Sequence, residues 1–296
     1  MVRHSLEYSK EEHNTVNRYK HQGIHLTQFP FQCEPQPLTL HPANYSLETI
    51  HTIINTTPVL HVSFSPSPSD PFPVILPLIG QMGSFSHPSA SLAEPLDLYL
   101  HGYVSSRIMN LTSSTSTSSS SPPKGLPVCI CASKVDGLVL SLTPYSHNYN
   151  YRSAVLFGHA TLVEDADEKM WAMELITNSV VPDRWRQTRV PPIPSEMQST
   201  RILKVTIASG SAKIREGVPE DSAADMQNID NIWTGVLPLY EQYGEPVPGP
   251  YNKVEEVPEH VKGYGEETSR GNREYAVEAA RKGAPVKIKQ RNEDEE

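Results

Sequence analysis

Three consecutive residues, Ser105, Ser106 and Arg107, carry side chains that can bind a phosphate group. They follow residues 96–103, in which leucines alternate with polar or aromatic residues as they do in a β-strand. The two serines can cap a helix, which places Arg107 in the first helical turn. Free backbone N–H groups, the helix dipole and a paired arginine contact would all favour an anion there. The spacing therefore predicts a phosphate site between a strand and a helix.

Other side chains could also carry chemistry, each with a plainer structural alternative. His101 lies on the same predicted strand, where a lone histidine is usually structural. Arg152 precedes a strongly apolar run and could equally form a structural salt bridge. Trp233 could belong to the core, as tryptophan usually does, and Arg107 itself could be a surface arginine. These patterns assign no catalytic residue, and His101 is the only candidate.

Strand-like patterns dominate the elements that must position these residues. Strands are predicted at 59–64, 72–80, 96–103, 127–132, 138–143, 154–163 and 201–213, with a last apolar segment at 233–239. Helices are predicted at 45–55 with Ser46 as the cap, after residue 106, and from 165 to 178 behind a capping box. This pattern predicts a mainly β fold, a closed or half-closed barrel with peripheral α-helices.

Two of these strands carry more specific expectations. The Asp-Gly pair at 136–137 predicts a hairpin turn between the strands at 127–132 and 138–143. The mostly apolar stretch 72–80 is expected to be buried on both faces, although its prolines suggest bulges or a sheet edge.

The rest of the chain divides by composition. Residues 1–44 form an N-terminal extension with an irregular, proline-rich insertion at 21–44, and residues 45–250 form the folded domain. A flexible Ser/Thr loop at 112–125 interrupts that domain, either as a spacer or as a site of phosphorylation control. Residues 251–296 are expected to be a charged, largely disordered tail, with at most a helix near 275–281.

Charge and cysteine content limit partners and compartment. The net charge of −9 and the pI near 5.7 argue against a nucleic-acid partner. The sequence has no apolar run long enough to span a membrane and no apolar region typical of a signal peptide near residue 1. Cys129 and Cys131 lie two apart on a predicted strand, a spacing that suits neither a disulfide nor zinc. We therefore expect a reduced, cytoplasmic protein without a metal site.

Several common catalytic motifs are missing from the sequence. It contains no Gly-x-Ser-x-Gly elbow, His-Glu-x-x-His helix, P-loop or Gly-x-Gly-x-x-Gly turn. The sequence therefore gives no support for a hydrolase, a metalloprotease, a kinase or a Rossmann dinucleotide site.

Six separated segments together resemble one known family. They are Pro-Val-Ile-Leu-Pro at 73–77, Leu-Tyr-Leu-His-Gly with Ser-Arg at 98–107, Asp-Gly-Leu-Val-Leu at 136–140, His-Asn-Tyr-Asn-Tyr-Arg-Ser-Ala-Val-Leu-Phe-Gly at 147–158, Ser-Ala-Lys-Ile-Arg-Glu-Gly at 211–217, and Trp-Thr-Gly-Val-Leu-Pro-Leu at 233–239. In this order they resemble the pyridoxamine 5′-phosphate oxidase-like, FMN-binding split-barrel superfamily, and within it the flavin-nucleotide-binding, nitroimidazole-resistance-like branch. The resemblance covers about residues 45–250, with an upstream piece at 14–20. The insertion at 21–44 would then be a lineage-specific loop or a translated intron.

The resemblance implies a split barrel that forms a homodimer, with two FMN sites at the subunit interface. The residues that match the family's cofactor site are Tyr99, His101, Ser106, Arg107, Tyr151, Arg152, Ser153 and Trp233, and Ser105 joins them as part of the predicted helix start. The family's oxidases often have a lysine after the arginine, where this chain has Ile108. The substrate-binding Arg/His pattern of the true vitamin B6 oxidases is not evident, so that reaction is not favoured.

Three function classes remain open from the sequence. The leading hypothesis is an FMN-dependent oxidoreductase acting on a small organic molecule. The second is a haem-binding split-barrel protein with His101 as the axial ligand, because some relatives bind haem. The third is a flavin-binding stress protein without enzymatic activity.

Overall fold

The computed structural model describes residues 46–67, 69–115 and 125–283. The predicted extension at 1–44, residues 116–124 of the Ser/Thr run and the last residues from 284 lie outside the described residues. The chain divides into two compact units. The first unit contains the described residues up to Ala132 together with Ala154–Ser179 and Arg189–Lys213, and the second contains Ser133–Ser153, Val180–Thr188 and the described residues from Ile214.

Most of the regular structure is antiparallel sheet. The strands are β1 (Leu60–Phe64), β2 (Val74–Leu78), β3 (Gly80–Gly83), β4 (Asp97–Tyr103), β5 (Leu126–Leu140), β6 (Asn148–Leu162), β7 (Thr200–Arg215) and β8 (Gly235–Pro238). They are ordered β2-β1-β5-β6-β7-β4-β3, with β8 paired to β5 off this path. Among the described residues the two terminal strands of this order, β2 and β3, are not paired with each other, so the sheet is open. This architecture confirms the mainly β, split-barrel prediction.

Helices lie between the strands and after the last one. The α-helices are α1 (Leu47–Asn55), α2 (Arg107–Thr115), α3 (Ala166–Val180), α4 (Pro194–Ser199) and α5 (Glu259–Ala279), and short 3₁₀ helices cover Pro144–Ser146, Trp185–Gln187 and Ala223–Asn228. The predicted caps are present: Ser46 Oγ accepts from Thr49 N at 3.5 Å, and Asp165 Oδ1 accepts from Glu168 N at 2.7 Å. No helix among the described residues is long and apolar enough to cross a membrane.

The predicted hairpin at 136–137 is wrong, because β5 continues through it. Gly137 is paired with Pro238 of β8, within a ladder that also joins Leu138 to Leu237. Gly137 is not among the glycines with positive φ, so it does not adopt the conformation that an Asp-Gly turn requires. Asp136 instead accepts hydrogen bonds from Arg152. Tertiary pairing therefore outweighs the local turn signal.

The expectation that 72–80 is buried on both faces is also wrong. Ile75 of β2 is 60% exposed and Phe72 is 77% exposed. The stretch splits into β2 and β3, and β2 lies at one end of the strand order. The alternative suggested by the prolines, an edge strand, is the correct one, because an edge strand tolerates a residue without an N–H donor.

The largest correction concerns the C-terminal tail, which contains the 21-residue helix α5. Ala276 and Ala279 are buried in the second unit, and Tyr275 Oη donates to Glu216 Oε1 at 2.7 Å. Gly217 N also donates to the Ala279 carbonyl oxygen at 2.8 Å. The sequence of α5 is polar and contains three glycines, so its propensity is weak and its helical state depends on this packing.

Helix α1 carries a buried titratable group, His51, and predicts a pH effect. His51 is 1% exposed, and its Nδ1 donates to the Leu92 carbonyl oxygen at 2.8 Å. Burial lowers the pKa of His51, and the backbone hydrogen bond only partly opposes this. Below about pH 6.5 the unfolded chain takes up a proton on His51 that the folded protein resists. The contribution of His51 to stability is therefore fully present above about pH 6.5 and is lost as the pH falls below it.

We expect the His51→Asn variant to lose that part of the pH dependence, since the Asn amide can still donate to Leu92. Urea unfolding of both proteins between about pH 5 and 7.5 measures the difference. Parallel stability curves for the two proteins would contradict the assignment.

Candidate functional site

The start of α2 lies where the sequence predicts it, but the Ser106 hydroxyl accepts no capping hydrogen bond from the described residues. Ser106 N donates to the Tyr103 carbonyl oxygen at 2.9 Å, which closes a tight turn after β4. The Ser106 carbonyl oxygen then accepts from Met109 N at 3.1 Å and Asn110 N at 3.2 Å, and α2 begins at Arg107. Ser106 is therefore the residue at which the chain enters the helix.

The Ser106 hydroxyl is the unusual atom of this turn. Its Oγ is buried and has no hydrogen-bond partner among the residues that the structure describes. Leaving a buried polar atom unpaired costs about 1–3 kcal/mol, so such atoms in native proteins call for an explanation. A Cβ at the neighbouring Gly102 would lie 3.7 Å from this oxygen and would overlap Met109 Cε. A residue larger than glycine at position 102 would therefore clash with Met109, next to the hydroxyl.

The side chains next to Ser106 differ in exposure. Arg107 is exposed and forms no ion pair with any described residue. Ser105 is exposed, and its carbonyl oxygen accepts from Asn110 Nδ2 at 3.4 Å. Ile108 is fully buried, so the position of the family's lysine points into the core here and offers no ligand contact. The start of α2 thus combines an exposed cation, Arg107, with the buried hydroxyl of Ser106.

The structure places Tyr99 away from any open surface. Tyr99 is fully buried, and its Oη donates to Glu168 Oε1 at 2.7 Å. Its ring packs edge-on against Trp171 with 5.1 Å between centroids. Burial, reinforced by the Glu168 hydrogen bond, raises the pKa of Tyr99. Lys204 Nζ completes this cluster by donating to the same Glu168 oxygen at 2.9 Å. We therefore leave Tyr99 out of the proposed site.

His101 remains accessible on the same strand. Its side chain is exposed, while the surrounding protein atoms still desolvate the ring enough to lower the pKa of His101. The imidazole is therefore neutral near pH 7, the state in which it can accept a proton or ligate a metal.

The remaining predicted site residues belong to the second unit. Arg152 donates from Nε to Asp136 Oδ2 at 2.9 Å and from Nη2 to Asp136 Oδ1 at 2.6 Å. Its guanidinium carbon also lies 3.6 Å from the ring centroid of Tyr275. These contacts establish the structural salt bridge that the sequence left open. Trp233 is 68% exposed, so the interpretation as a core tryptophan is wrong. Tyr151 and Ser153 are half-buried beside Arg152 in sequence.

A cleft of about 250 Å³ borders this salt bridge. Its lining includes Lys134, Glu241 and Asn272, which the sequence did not single out. Lys134 Nζ lies 3.5 Å from Asn272 Oδ1. Burial, followed by the charge of Arg152, lowers the pKa of Lys134. No local pattern could find these residues, since the predicted hairpin put Lys134 in a turn and α5 was expected to be disordered.

Among residues 46–67, 69–115 and 125–283, no group of three His, Cys, Asp or Glu side chains could hold a metal ion.

The chain belongs to the pyridoxamine 5′-phosphate oxidase family, whose sequence profile matches residues 46–214. This match confirms the resemblance drawn from the separated motifs. No protein with a curated function matches the sequence.

Two solved structures resemble the chain over most of their length. The flavocytochrome Anf3 from Azotobacter vinelandii is 27% identical with a TM-score of 0.59, over 75% of this chain and 91% of its own. A FAD and heme binding protein from Mycobacterium smegmatis is 25% identical with a TM-score of 0.61, over 75% of this chain and 97% of its own.

Proposed function

We propose that this protein binds a flavin nucleotide, FMN, whose phosphate contacts the start of α2. The observation that carries the proposal is the buried Ser106 Oγ, which has no partner among the described residues, next to the exposed Arg107. A phosphate oxygen would accept from the hydroxyl and from the guanidinium at once. The helix dipole adds to the attraction of the dianion.

The family and the structural comparisons support a flavin rather than another phosphate ligand. The M. smegmatis protein binds FAD and haem, and Anf3 is a flavocytochrome. Both FMN and FAD carry a phosphate next to the ribityl chain, and the resemblance to the FMN-binding branch favours FMN. Ser105, Ser106 and Arg107 would hold that phosphate in either case.

The activity we propose is that of an FMN-dependent oxidoreductase acting on a small organic molecule. The flavin, when bound, supplies the electron transfer. The chain supplies the phosphate anchor, and His101 supplies an exposed imidazole that is neutral and could accept a proton from a substrate. A flavin-binding stress protein without activity would bind FMN with the same residues. Bleaching of bound FMN by NADH or NADPH without oxygen, followed by reoxidation with turnover of an added acceptor, separates the two.

Haem is the second candidate ligand, and His101 is the observation in its favour. This side chain is exposed on β4, and its lowered pKa keeps the ring nitrogen unprotonated for an axial bond. A haem bound at His101 would not explain the buried Ser106 hydroxyl that lacks a partner among the described residues, so we prefer flavin.

The assembly we propose is a cytoplasmic homodimer with no nucleic-acid partner. The exposed apolar side chains of Phe72, Ile75 and Ile79 in the first unit support an interface between copies. The acidic net charge of −9 gives no electrostatic support for binding nucleic acid.

The absorption spectrum of the purified full chain tests the proposal. We expect flavin bands near about 370 and 450 nm after incubation with FMN and desalting. A Soret band after expression with haem supply, without flavin bands, would support the haem alternative. A protein that retains neither cofactor would contradict both.

A further inference from the structure

An extended segment of the second unit, residues 244–257, runs between β8 and α5 without regular secondary structure. We call it the arm. Every residue of the arm is exposed, and a Cβ built at Gly244 or Gly249 would meet no atom within 4 Å. The backbone hydrogen bond recorded within it, from Asn252 N to the Gly249 carbonyl oxygen at 3.0 Å, is local. The described part of the chain thus gives the arm little to pack against.

The arm and the residues before it hold an unusual share of exposed apolar surface. The described residues include 23 exposed large hydrophobic side chains, and 11 of them lie between residues 229 and 257. The most exposed are Val247 at 89% and Tyr251 at 92%, and Trp233 and Val254 follow at 68% and 60%. Single exposed hydrophobics are ordinary, but such a concentration marks an interaction surface.

The exposed apolar area of this stretch approaches what one side of a stable interface requires. The four aromatic side chains in this stretch, Trp233, Tyr240, Tyr243 and Tyr251, are 39–92% exposed. Since an aromatic side chain covers about 150–250 Å², they present on the order of 400–600 Å². Each partner in a stable complex buries about 800 Å², so these aromatics with the neighbouring valines and leucines approach one full side of an interface.

The arm is also stiff, which reduces the entropy lost on binding. Prolines occupy positions 246, 248 and 250, where each fixes its own φ angle and limits the conformations of the residue before it. The flanking Tyr243 is fixed on α5, because its N–H donates to Ser269 Oγ at 2.9 Å and its ring packs edge-on against Tyr264. A long connection without secondary structure is uncommon in a compact unit and usually has a function.

We propose that the arm packs against a second copy of this chain, so that each copy in the dimer covers part of the other. Glu245, Glu255 and Glu256 outnumber Lys253, so the arm's charge disfavours nucleic acid or an anionic membrane. A two-fold dimer uses the arm twice and therefore doubles the apolar area buried. The first unit offers exposed apolar side chains of its own, including Phe72 and Ile75. The inference rests on the homodimer of the proposed function.

Crosslinking of the full chain tests this placement. A benzophenone amino acid replaces Tyr251, and an equimolar mixture of isotopically light and heavy protein is irradiated at micromolar concentration. We expect covalent dimers whose crosslinked peptides mix light and heavy isotopes. The matched control carries the same group at Tyr145, which is 86% exposed but outside the arm, and should give few such dimers.

A second variant measures the contribution of the arm to association. Because both side chains are exposed in the single chain, the double variant Tyr251→Ser, Val254→Ser should keep the wild-type fold, which circular dichroism verifies. Its dimer dissociation constant should rise about 30-fold or more, while Tyr145→Ser leaves it unchanged. A dimer unaffected by the double variant, with no mixed crosslinks at 251, would overturn the arm and leave the homodimer standing. A wild-type monomer at micromolar concentration would overturn both.

Discussion

Replacing Arg107 by alanine is expected to weaken FMN binding about 30- to 150-fold. The change removes a charge-assisted, two-pronged contact to a phosphate dianion. Little can compensate, because Ile108 stands where the family often has a lysine and is fully buried. Quenching of flavin fluorescence in a titration of the full chain measures the dissociation constant.

Two comparisons make this result specific. Riboflavin lacks the phosphate, so its weaker binding should hardly change in Arg107→Ala, whereas a general unfolding effect would weaken both ligands. Arg189→Ala removes an exposed arginine that is paired with Glu196 instead, and should leave FMN binding unchanged. Equal losses for FMN and riboflavin, or no loss for either, would mean that Arg107 is a surface arginine.

Replacing Asp136 by alanine is expected to lower the free energy of unfolding by about 3–5 kcal/mol. The side chains of Arg152 and Asp136 are only 14% and 6% exposed, so the variant leaves a nearly buried guanidinium without its carboxylate. The effect should spread to α5, because the same guanidinium stacks on Tyr275. Urea unfolding measures the loss, and proteolysis should cleave α5 earlier in the variant.

The double variant Asp136→Ala, Arg152→Met provides the control. It removes both charges together, so it should be more stable than Asp136→Ala alone. A loss below about 1 kcal/mol for Asp136→Ala would place this pair among ordinary surface salt bridges. FMN should bind Asp136→Ala normally as long as the protein stays folded, because the proposed phosphate anchor, Ser106 and Arg107, contains neither member of the Asp136–Arg152 pair.

The sequence predicted those elements whose signals are local. Alternation of apolar and polar residues located β1, β4, β6 and β7, and the serines at the end of β4 located the start of α2. The helix caps at Ser46 and Asp165 were predicted correctly for the same reason, since a cap depends on residues only three positions apart.

The sequence failed where partners distant in the chain decide the structure. Gly137 continues a strand because it pairs with Pro238 of β8, a residue far along the chain. Helix α5 forms from a glycine-containing polar stretch because Tyr275 and Ala279 find contacts near Glu216 and Gly217. Tyr99 alternates with the leucines as predicted, but helix α3 covers it, and alternation cannot tell a covered face from an open one.

The central claim is that the start of α2 holds a flavin phosphate, and a pH titration of the ³¹P resonance of FMN bound to the full chain tests it most directly. Free FMN changes charge near about pH 6, where its phosphate loses the second proton. Beside Arg107 and the helix N-terminus the dianion is favoured, so the pKa of the bound phosphate should fall and its resonance should stay constant from about pH 5.5 to 8. In Arg107→Gln the titration should move back towards that of free FMN. A bound phosphate that titrates like free FMN in the wild-type protein would contradict the claim.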